Sequence, residues 1–421
     1  MTEREFELSN KNENIIRKTQ DTLEFDVDSV LVLNDVYPRD GFDNNTVNSY
    51  ALNVDALPPI IVTKENILVD GYHRLLAHRL CGKKLIKAEI VDIPKERILW
   101  EATKLNAKHG KQLRVDEKRH LARKFYSNNH CTYAEISEVL AVKESTLSNW
   151  LSDLVQEEKE EQKRQIMDLY LQCCTYDEIE SKLEVSSKTI AKTLSDFKNE
   201  LGKQPFVPES LQLFNVWNFP NRDKRYGLDF KGTIPGQIIE NVLHYYTEPL
   251  DVVVDPMAGG GTTIDVCKAM YRRYRAYDIN KLRDDIQKHD IRNGYPKECK
   301  NTDLIFLDPP YFDMTFKDLF NDVHDFYGFI EKVAHDSFET IKANGVVAFL
   351  MQDMTELGNY CLSGESYCIF RKEGFTTIAH ISCPLSTQQF LPQQVEKAKQ
   401  DKHLLGRNRD LYIFKKEVHN G

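Results

Sequence analysis

The sequence predicts a multidomain chain: a small α+β domain, an all-α middle, and a C-terminal α/β domain on a mostly parallel sheet. Three observations carry this. Beyond residue 210, apolar strand-like runs alternate with helical segments. Between about 97 and 200 the chain is helical in pattern, poor in glycine, and contains an internal repeat. Before that, short β-rich runs surround a single helical stretch.

The 421 residues suffice for two or three domains with sizeable cores. Hydrophobic residues make up 41% and charged residues 29%, ordinary for a soluble globular protein. No stretch approaches the ~18–20 apolar residues of a membrane span. The polar start, "MTEREFELSNKNEN", is not a signal peptide, so a cytoplasmic protein is expected. Nine cysteines are scattered without a CxxC pair, so no metal is expected, and Cys173-Cys174 reads as helical packing. The net charge of −9 argues against nucleic acid binding by bulk charge. Local patches differ: residues 104–124 hold eight Lys/Arg against two acids, and "YRRYRAY" at 271–277 is a second cluster. Any DNA contact is expected along such patches.

Residues 22–110 form the first expected domain. Strands are expected at "SVLVL", "PPIIVT", "NILVD" and "KAEIVDI", around a helix in "YHRLLAHRLCGKK". The second region, 111–200, contains the repeat. "CTYAEISEVLAVKESTLSNWLSDL" (131–154) aligns without gaps to "CTYDEIESKLEVSSKTIAKTLSDF" (174–197), with 11 of 24 positions identical. Each copy reads as helix, turn, helix. The second helices present Lys143, Ser145, Ser148 and Asn149 in one copy, and Ser187, Lys188 and Lys192 in the other. That is the layout of a tandem helix-turn-helix, whose second helix can enter a DNA major groove. Duplicated helical hairpins also serve as spacers or oligomerisation modules. The mixed-sign run 155–165 suits a solvated helix, and "GKQPFVPES" (202–210) a linker.

The third domain, 211–421, carries the chemistry. In "LDVVVDPMAGGGTTIDVCKA" a strand ends at Asp255, followed by Pro256, then Gly259, Gly260 and Gly261, with a helix from about Thr262. No Lys follows Gly261, so a phosphate-cradling loop is poorly supported, and Ile264 replaces the third glycine of a dinucleotide fingerprint. The remaining reading is a loop under an adenosine-type ligand bearing positive charge, which carboxylates tolerate and a pyrophosphate would not. Asp278 ends the next strand, where an acid commonly takes a ribose hydroxyl pair; a helix N-cap is the plainer alternative. Asp290 lies at a distance that allows contact with the adenine. In "DLIFLDPPYFDM" two prolines stop a strand, leaving Asp308, Pro309, Pro310 and Tyr311 at its carboxyl end, where open α/β sheets bind ligands.

Residues 212–421 resemble the DNA N6-adenine/N4-cytosine methyltransferases. "DPMAGGGTT" is similar to their cofactor motif, "DPPY" to their catalytic motif, and "GTIPGQIIENVLHYYTEP" (232–249) to the helix that closes over the cofactor's methionine moiety. The resemblance implies a Rossmann-like domain, S-adenosyl-L-methionine as cofactor and double-stranded DNA as partner. It implies that Asp308 and the Pro309 carbonyl grip an exocyclic amine, with Tyr311 stacking on a flipped base. Asp at the motif's first position leans toward adenine N6 over cytosine N4. Protein glutamine methylation is disfavoured by the repeat, and cytosine C5 chemistry by the absence of a Pro-Cys dipeptide. A homodimer and a cognate restriction enzyme are compatible with the sequence and specified by nothing in it.

Residues 24–110 resemble the N-terminal domain of the ParB/sulfiredoxin superfamily through "PPIIV", "VDGYHRLLAHRLCGKKLIKAEIV" and "LNAKHGKQL". By that resemblance Gly71, His73 and Arg74 would open a phosphate-receiving helix. Tyr72 stands where sulfiredoxins carry a catalytic Cys, and no Arg closely follows Asn106 as in partition proteins. The competing function is a ParB-like DNA-binding regulator with a vestigial methyltransferase fold. Only 46 residues separate Gly261 from Asp308, too few for an inserted recognition domain. Residues 24–200 are therefore expected to read DNA, and removing 1–200 to leave a folded, cofactor-binding fragment.

Overall fold

The computed structural model describes residues 23–33, 35–39, 41–108, 113–129, 131–203, 207–229, 233–310, 319–353, 361–385, 390–402 and 404–417. Packing divides the chain into two compact units, Met1–Lys159 and Glu160–Gly421.

The first unit opens with β1 (Leu23–Asp26), α1 (Asn44–Ala51), β2 (Ile60–Thr63), β3 (Leu68–Asp70), α2 (Tyr72–Leu80) and β4 (Leu85–Val91). Its sheet runs β1-β4-β2-β3, with β2 and β4 parallel and the other pairs antiparallel. The expected strand at "SVLVL" is absent. Val27–Ser29 is a 3-10 turn and Leu31 makes only an isolated bridge to Ile67, while Val30 is buried from irregular chain. The edge strand comes instead from the preceding LEFD. Next come α3 (Ile98–Lys108), α4 (Val115–Asn129), α5 (Tyr133–Leu140) and α6 (Glu144–Leu171). Trp100, Phe125, Ile136, Leu140, Leu147 and Leu151 form one buried cluster among these helices.

In the second unit α7 (Tyr176–Leu183) and α8 (Ser187–Lys203) follow. The sequence repeat is thus a structural one. Thr132 and Thr175 each start their helix with a reciprocal capping box to Glu135 and Glu178, satisfying two N-terminal donors. Each short helix ends on a left-handed residue, Ala141 (φ +48) or Glu184 (φ +54). The mixed-charge run lies on α6, exposed from Gln156 to Gln165. Cys173 and Cys174 sit in the turn after α6 rather than in a helix, Cys173 at φ +60.

The two copies pack differently. Ile166, Met167 and Leu171 from the end of α6, with Ile179, Ile190 and Leu194, belong to the same buried cluster as the C-terminal sheet. Phe197 meets Tyr271 edge-on at 4.7 Å, and the Arg273 guanidinium lies 4.5 Å from the centre of the Tyr170 ring.

The remaining elements are α9 (Gly236–Tyr246), β5 (Val252–Asp255), α10 (Thr262–Ala269), β6 (Arg273–Asp278), β7 (Gln287–Lys288), β8 (Thr302–Leu307), α11 (Val323–Thr340), β9 (Ile341–Met351), α12 (Leu362–Lys372), β10 (Thr376–Pro384), α13 (Pro392–Asp401) and β11 (Asn408–Lys415). Strand order is β10-β11-β9-β8-β5-β6-β7. β5 to β9 are parallel, and β11 runs antiparallel to β9 and β10. Alternation divides the apolar strands between two cores: Val253, Leu304, Phe306 and Ala348 face one, Val254, Ile305, Leu307 and Phe349 the other. Covering both faces explains why these strands read as unbroken apolar runs.

The basic cluster at 271–277 is no DNA patch, because it enters the sheet. Arg272 is 5% exposed, and its guanidinium donates to Thr247 Oγ1 and to the carbonyls of Leu243, Thr247 and Met270. Those carbonyls lie at the C-terminal ends of α9 and α10, where helix dipoles favour a cation.

Phe414 is fully buried and stacks on Phe370 at 4.8 Å. Phe414→Ala is expected to cost about 3–5 kcal/mol. Denaturation in a Trp100→Phe, Trp150→Phe background reads this unit through the buried Trp217. A fragment beginning at residue 160 keeps the apolar contribution of the second repeat, whereas one beginning at 201 loses six buried core residues. Thermal melting and size-exclusion chromatography should find the first folded and the second less stable and prone to associate.

Candidate active site

The chain leaves β5 toward β6 on one side of the sheet, while β8 lies on the other. Loops departing from the carboxyl ends of β5 and β8 therefore diverge, opening a crevice. A cavity of about 300 Å³ occupies it. Pro256, Met257 and Gly259 line it from the loop after β5, and Asp278, Ile279, Asn280 and Leu282 from the loop after β6. Asp290, Ile291 and Arg292 add a third wall. Asp308, Pro309 and Pro310 close the fourth, with Leu319, Phe320 and Phe329 beside them. Tyr311 lies outside the described residues.

The glycine loop needs its glycines. Gly259 (φ +50) and Gly261 (φ +80) are left-handed, and a Cβ on Gly261 would come within 2.6 Å of the Arg283 guanidinium. Gly261 caps α10, which starts at Thr262. Asp278 accepts hydrogen bonds from Gly259 N (2.9 Å) and Asn280 N (2.8 Å), tying the first two loops together. Asp278 caps no helix; it ends β6 on the cavity wall. Asp290 is clasped by Arg292 Nε and Nη2 at 2.8–3.0 Å, which holds its carboxyl below the usual carboxylate range.

Asp255 is the surprise of the site. It is 5% exposed and does not line the cavity. Its oxygens accept from Thr263 Oγ1 (2.5 Å) and Met257 N (3.0 Å), so it holds the loop and the start of α10 from beneath. Burial raises its pKa to about 7, with the charges of Asp308 and Asp278 adding to the effect. Gly260, Gly261 and Thr262 likewise sit behind the lining rather than in it.

Three carboxylates and one guanidinium face the cavity. That balance disfavours a pyrophosphate and suits a cationic ligand, while Ile279, Leu282 and Ile291 offer apolar surface for a base. The residues present therefore fit an adenosine-type ligand carrying positive charge. Among the described residues no cluster of His, Cys, Asp or Glu could hold a metal ion.

Lys143, Ser145, Ser148 and Asn149 at the start of α6 are all exposed, as are Ser187, Lys188 and Lys192 on α8. Ser187 bonds Glu180 of its own repeat. Within the basic stretch, Arg119 lies over the Trp150 ring at 5.9 Å and Arg123 pairs with Asp153 at 2.7 Å. No helix among the described residues is long and apolar enough to cross a membrane.

A second cavity, about 410 Å³, opens at α2. Gly71 (φ +108) caps that helix, and a Cβ there would meet Ile60 at 2.5 Å. Its basic side chains already have partners: Arg74 donates to Asp70 (2.6 Å) and to the Pro58 and Pro59 carbonyls, Arg39 donates to Asn106 Oδ1, and His73 Nε2 accepts from Asp43 N, which requires a neutral ring. A phosphate would face the Asp70 carboxylate, so the residues do not fit one as they stand.

Two residues escaped the sequence reading. Arg283, inside "KLRDD", reads there as a solvated charge. Arg292 becomes visible only once Asp290 and it are seen to share a wall.

The raised pKa of Asp255 has a definite sign. The folded chain keeps a proton that the unfolded chain releases near 3.8, so this group's contribution to stability is lost as pH rises from about 4 to about 7. Asp255→Asn removes that loss. The difference in denaturation midpoint between variant and unmodified chain should move in the variant's favour from pH 5 to pH 8.

The DNA methylase family model matches residues 87–288, a span that includes the glycine loop and Asp278 and ends before Asp290 and Asp308. The type II methyltransferase M.BglII of Bacillus subtilis is 35% identical over 89 residues, 21% of this chain and 24% of that protein. The transcriptional regulator NovG of Streptomyces niveus is 30% identical over 113 residues, 26% of this chain and 36% of that one. The chain thus spans only 24% to 36% of the length of these relatives. The chromosome-partitioning protein ParB of Caulobacter crescentus, solved on its parS site, aligns with 42% of this chain and 93% of its own. Its identity is 16% and its TM-score 0.26, too loose for any argument. The family model covers just under half of the chain, and the matches to these relatives are shorter still.

Proposed function

We propose that the chain is a site-specific DNA methyltransferase acting on an exocyclic amine, adenine N6 ahead of cytosine N4. One observation carries this: Asp308, Pro309 and Pro310 line the same cavity as Gly259, Asp278 and Asp290. When bound, S-adenosyl-L-methionine supplies an electrophilic methyl group on a sulfonium.

The protein's part is positioning. An aromatic amine is a poor nucleophile because its lone pair is delocalised into the ring. Asp308 and the Pro309 carbonyl each accept one amino hydrogen, which draws the nitrogen toward tetrahedral geometry and frees the lone pair. The two prolines fix the backbone so that the carbonyl keeps its aim. Asp278 and Asp290 hold the ribose and adenine ends of the cofactor, Pro256 and the glycine loop its flank, and Asp255 with Thr263 supports that loop from behind. Tyr311 supplies the ring on which the extruded base stacks. No covalent enzyme intermediate is needed.

Recognition is assigned to the front half. Lys143, Ser145, Ser148 and Asn149, then Ser187, Lys188 and Lys192, are the side chains proposed to meet double-stranded DNA, in a tandem helix-turn-helix. The likeness to NovG favours a second reading, a DNA-binding regulator that transfers nothing.

Incubation with radiolabelled S-adenosyl-L-methionine and plasmid DNA separates the two. The unmodified chain should label DNA, and Asp308→Ala should lower transfer by about 10²–10³-fold or more while DNA affinity stays unchanged. A regulator would give no label at all. Modified-base sequencing of the product then distinguishes N6-methyladenine from N4-methylcytosine and reports the recognised site.

A further inference from the structure

Arg283 sits between the loops that follow β5 and β6, which form neighbouring walls of the cavity. Its Nη1 donates to Asp265 Oδ2 (2.8 Å) and, at 3.3 Å each, to the carbonyls of Gly260 and Gly261. Nη2 donates to Asp265 Oδ1 (2.7 Å) and Asp285 Oδ2 (2.8 Å), and Nε to Asp285 Oδ1 (2.9 Å). All five guanidinium hydrogens are engaged. The side chain is 18% exposed and does not line the cavity, whereas its neighbour Leu282 does.

The partners matter more than their number. Asp265 lies on α10 and also accepts from Gly227 N (2.8 Å), while Leu228 N donates to Gly260 O (3.0 Å). Lys268, one turn further along α10, holds Asp285 at 2.9 Å. Glycine places few restrictions on its own φ and ψ, so the peptides at Gly260 and Gly261 depend on their hydrogen bonds: Gly261 N donates to Ala258 O (2.8 Å), Asp265 N donates to Gly261 O (3.2 Å), and Arg283 adds a donor to each carbonyl. In a planar trans peptide the carbonyl and the following N–H point in opposite directions. Holding the Gly260 and Gly261 carbonyls on the Arg283 side therefore reinforces the orientation of both peptides. The same guanidinium, through its own chain, fixes the distance from this loop to the Ile279–Leu282 wall.

We infer that Arg283 is a positioning residue for cofactor binding: it sets the glycine loop and the Ile279–Leu282 wall at the spacing the cofactor requires. This rests on the proposed function. Lysine cannot replace it, because one ammonium cannot span two carboxylates and two carbonyls at once.

The test uses the full chain and measures S-adenosyl-L-methionine affinity by calorimetry, together with steady-state methyl transfer. Arg283→Ala should weaken cofactor binding about tenfold or more and raise KM for the cofactor in parallel. Arg283→Lys should fall between. At saturating cofactor kcat should stay within about threefold, and KM for DNA should not move. A folded Arg283→Ala that binds the cofactor like the unmodified chain overturns the inference, as does a fall in kcat with KM for the cofactor unchanged. Should Arg283→Ala not fold, Arg283→Lys and Asp265→Asn carry the same measurements, and unaltered affinity in both overturns it equally. Absence of cofactor binding by the unmodified chain would overturn the proposed function and this inference together. Normal binding by unmodified and variant chains alike overturns the inference alone.

Discussion

The parallel pairing of β5 with β8 is the constraint on which the cavity depends. Val253 sits opposite Leu304 and Val254 opposite Ile305, so the two strands end nearly level. From that edge one connection turns toward β6 and the other toward β9, and the space between them cannot be filled by either. Everything assigned to the site hangs from this edge. A strand slip of one residue would turn every side chain to the other face, sending both cores and both loops out of position.

The edge concentrates carboxylates, and the structure manages them unequally. Asp290 is matched by Arg292, and Asp278 takes two backbone N–H groups. Asp255, deprived of water, has its proton affinity raised. Behind the loop, the Arg283 guanidinium spreads one charge over Asp265 and Asp285. The negative potential that remains is therefore directed into the cavity, where a cationic ligand relieves it.

Punctuation made much of this legible in the sequence. Consecutive prolines end β8, and three glycines must mark close backbone approach, so the places of Asp308 and Gly259 could be read directly. Direction could not. Asp255 ends its strand as expected, yet only packing decides that its carboxylate turns to Thr263 rather than to the cavity. β10 is not legible in sequence, because "TTIAHISCP" mixes polar and apolar residues and owes its strand state to pairing with β11. "SVLVL" erred the opposite way: burial of Val30 was achieved without a strand. The repeat was plain in sequence, but nothing in its letters foretold that the second copy's apolar residues would join the core of the C-terminal sheet.

Arg272 illustrates a further property of the molecule. Its hydrogen bonds go to a hydroxyl and to peptide oxygens at two helix ends, not to a carboxylate. Dipoles do not titrate. Acidification that discharges Asp–Arg and Glu–Lys contacts elsewhere leaves these partners unchanged, so the clasp joining the ends of α9 and α10 does not depend on a carboxylate.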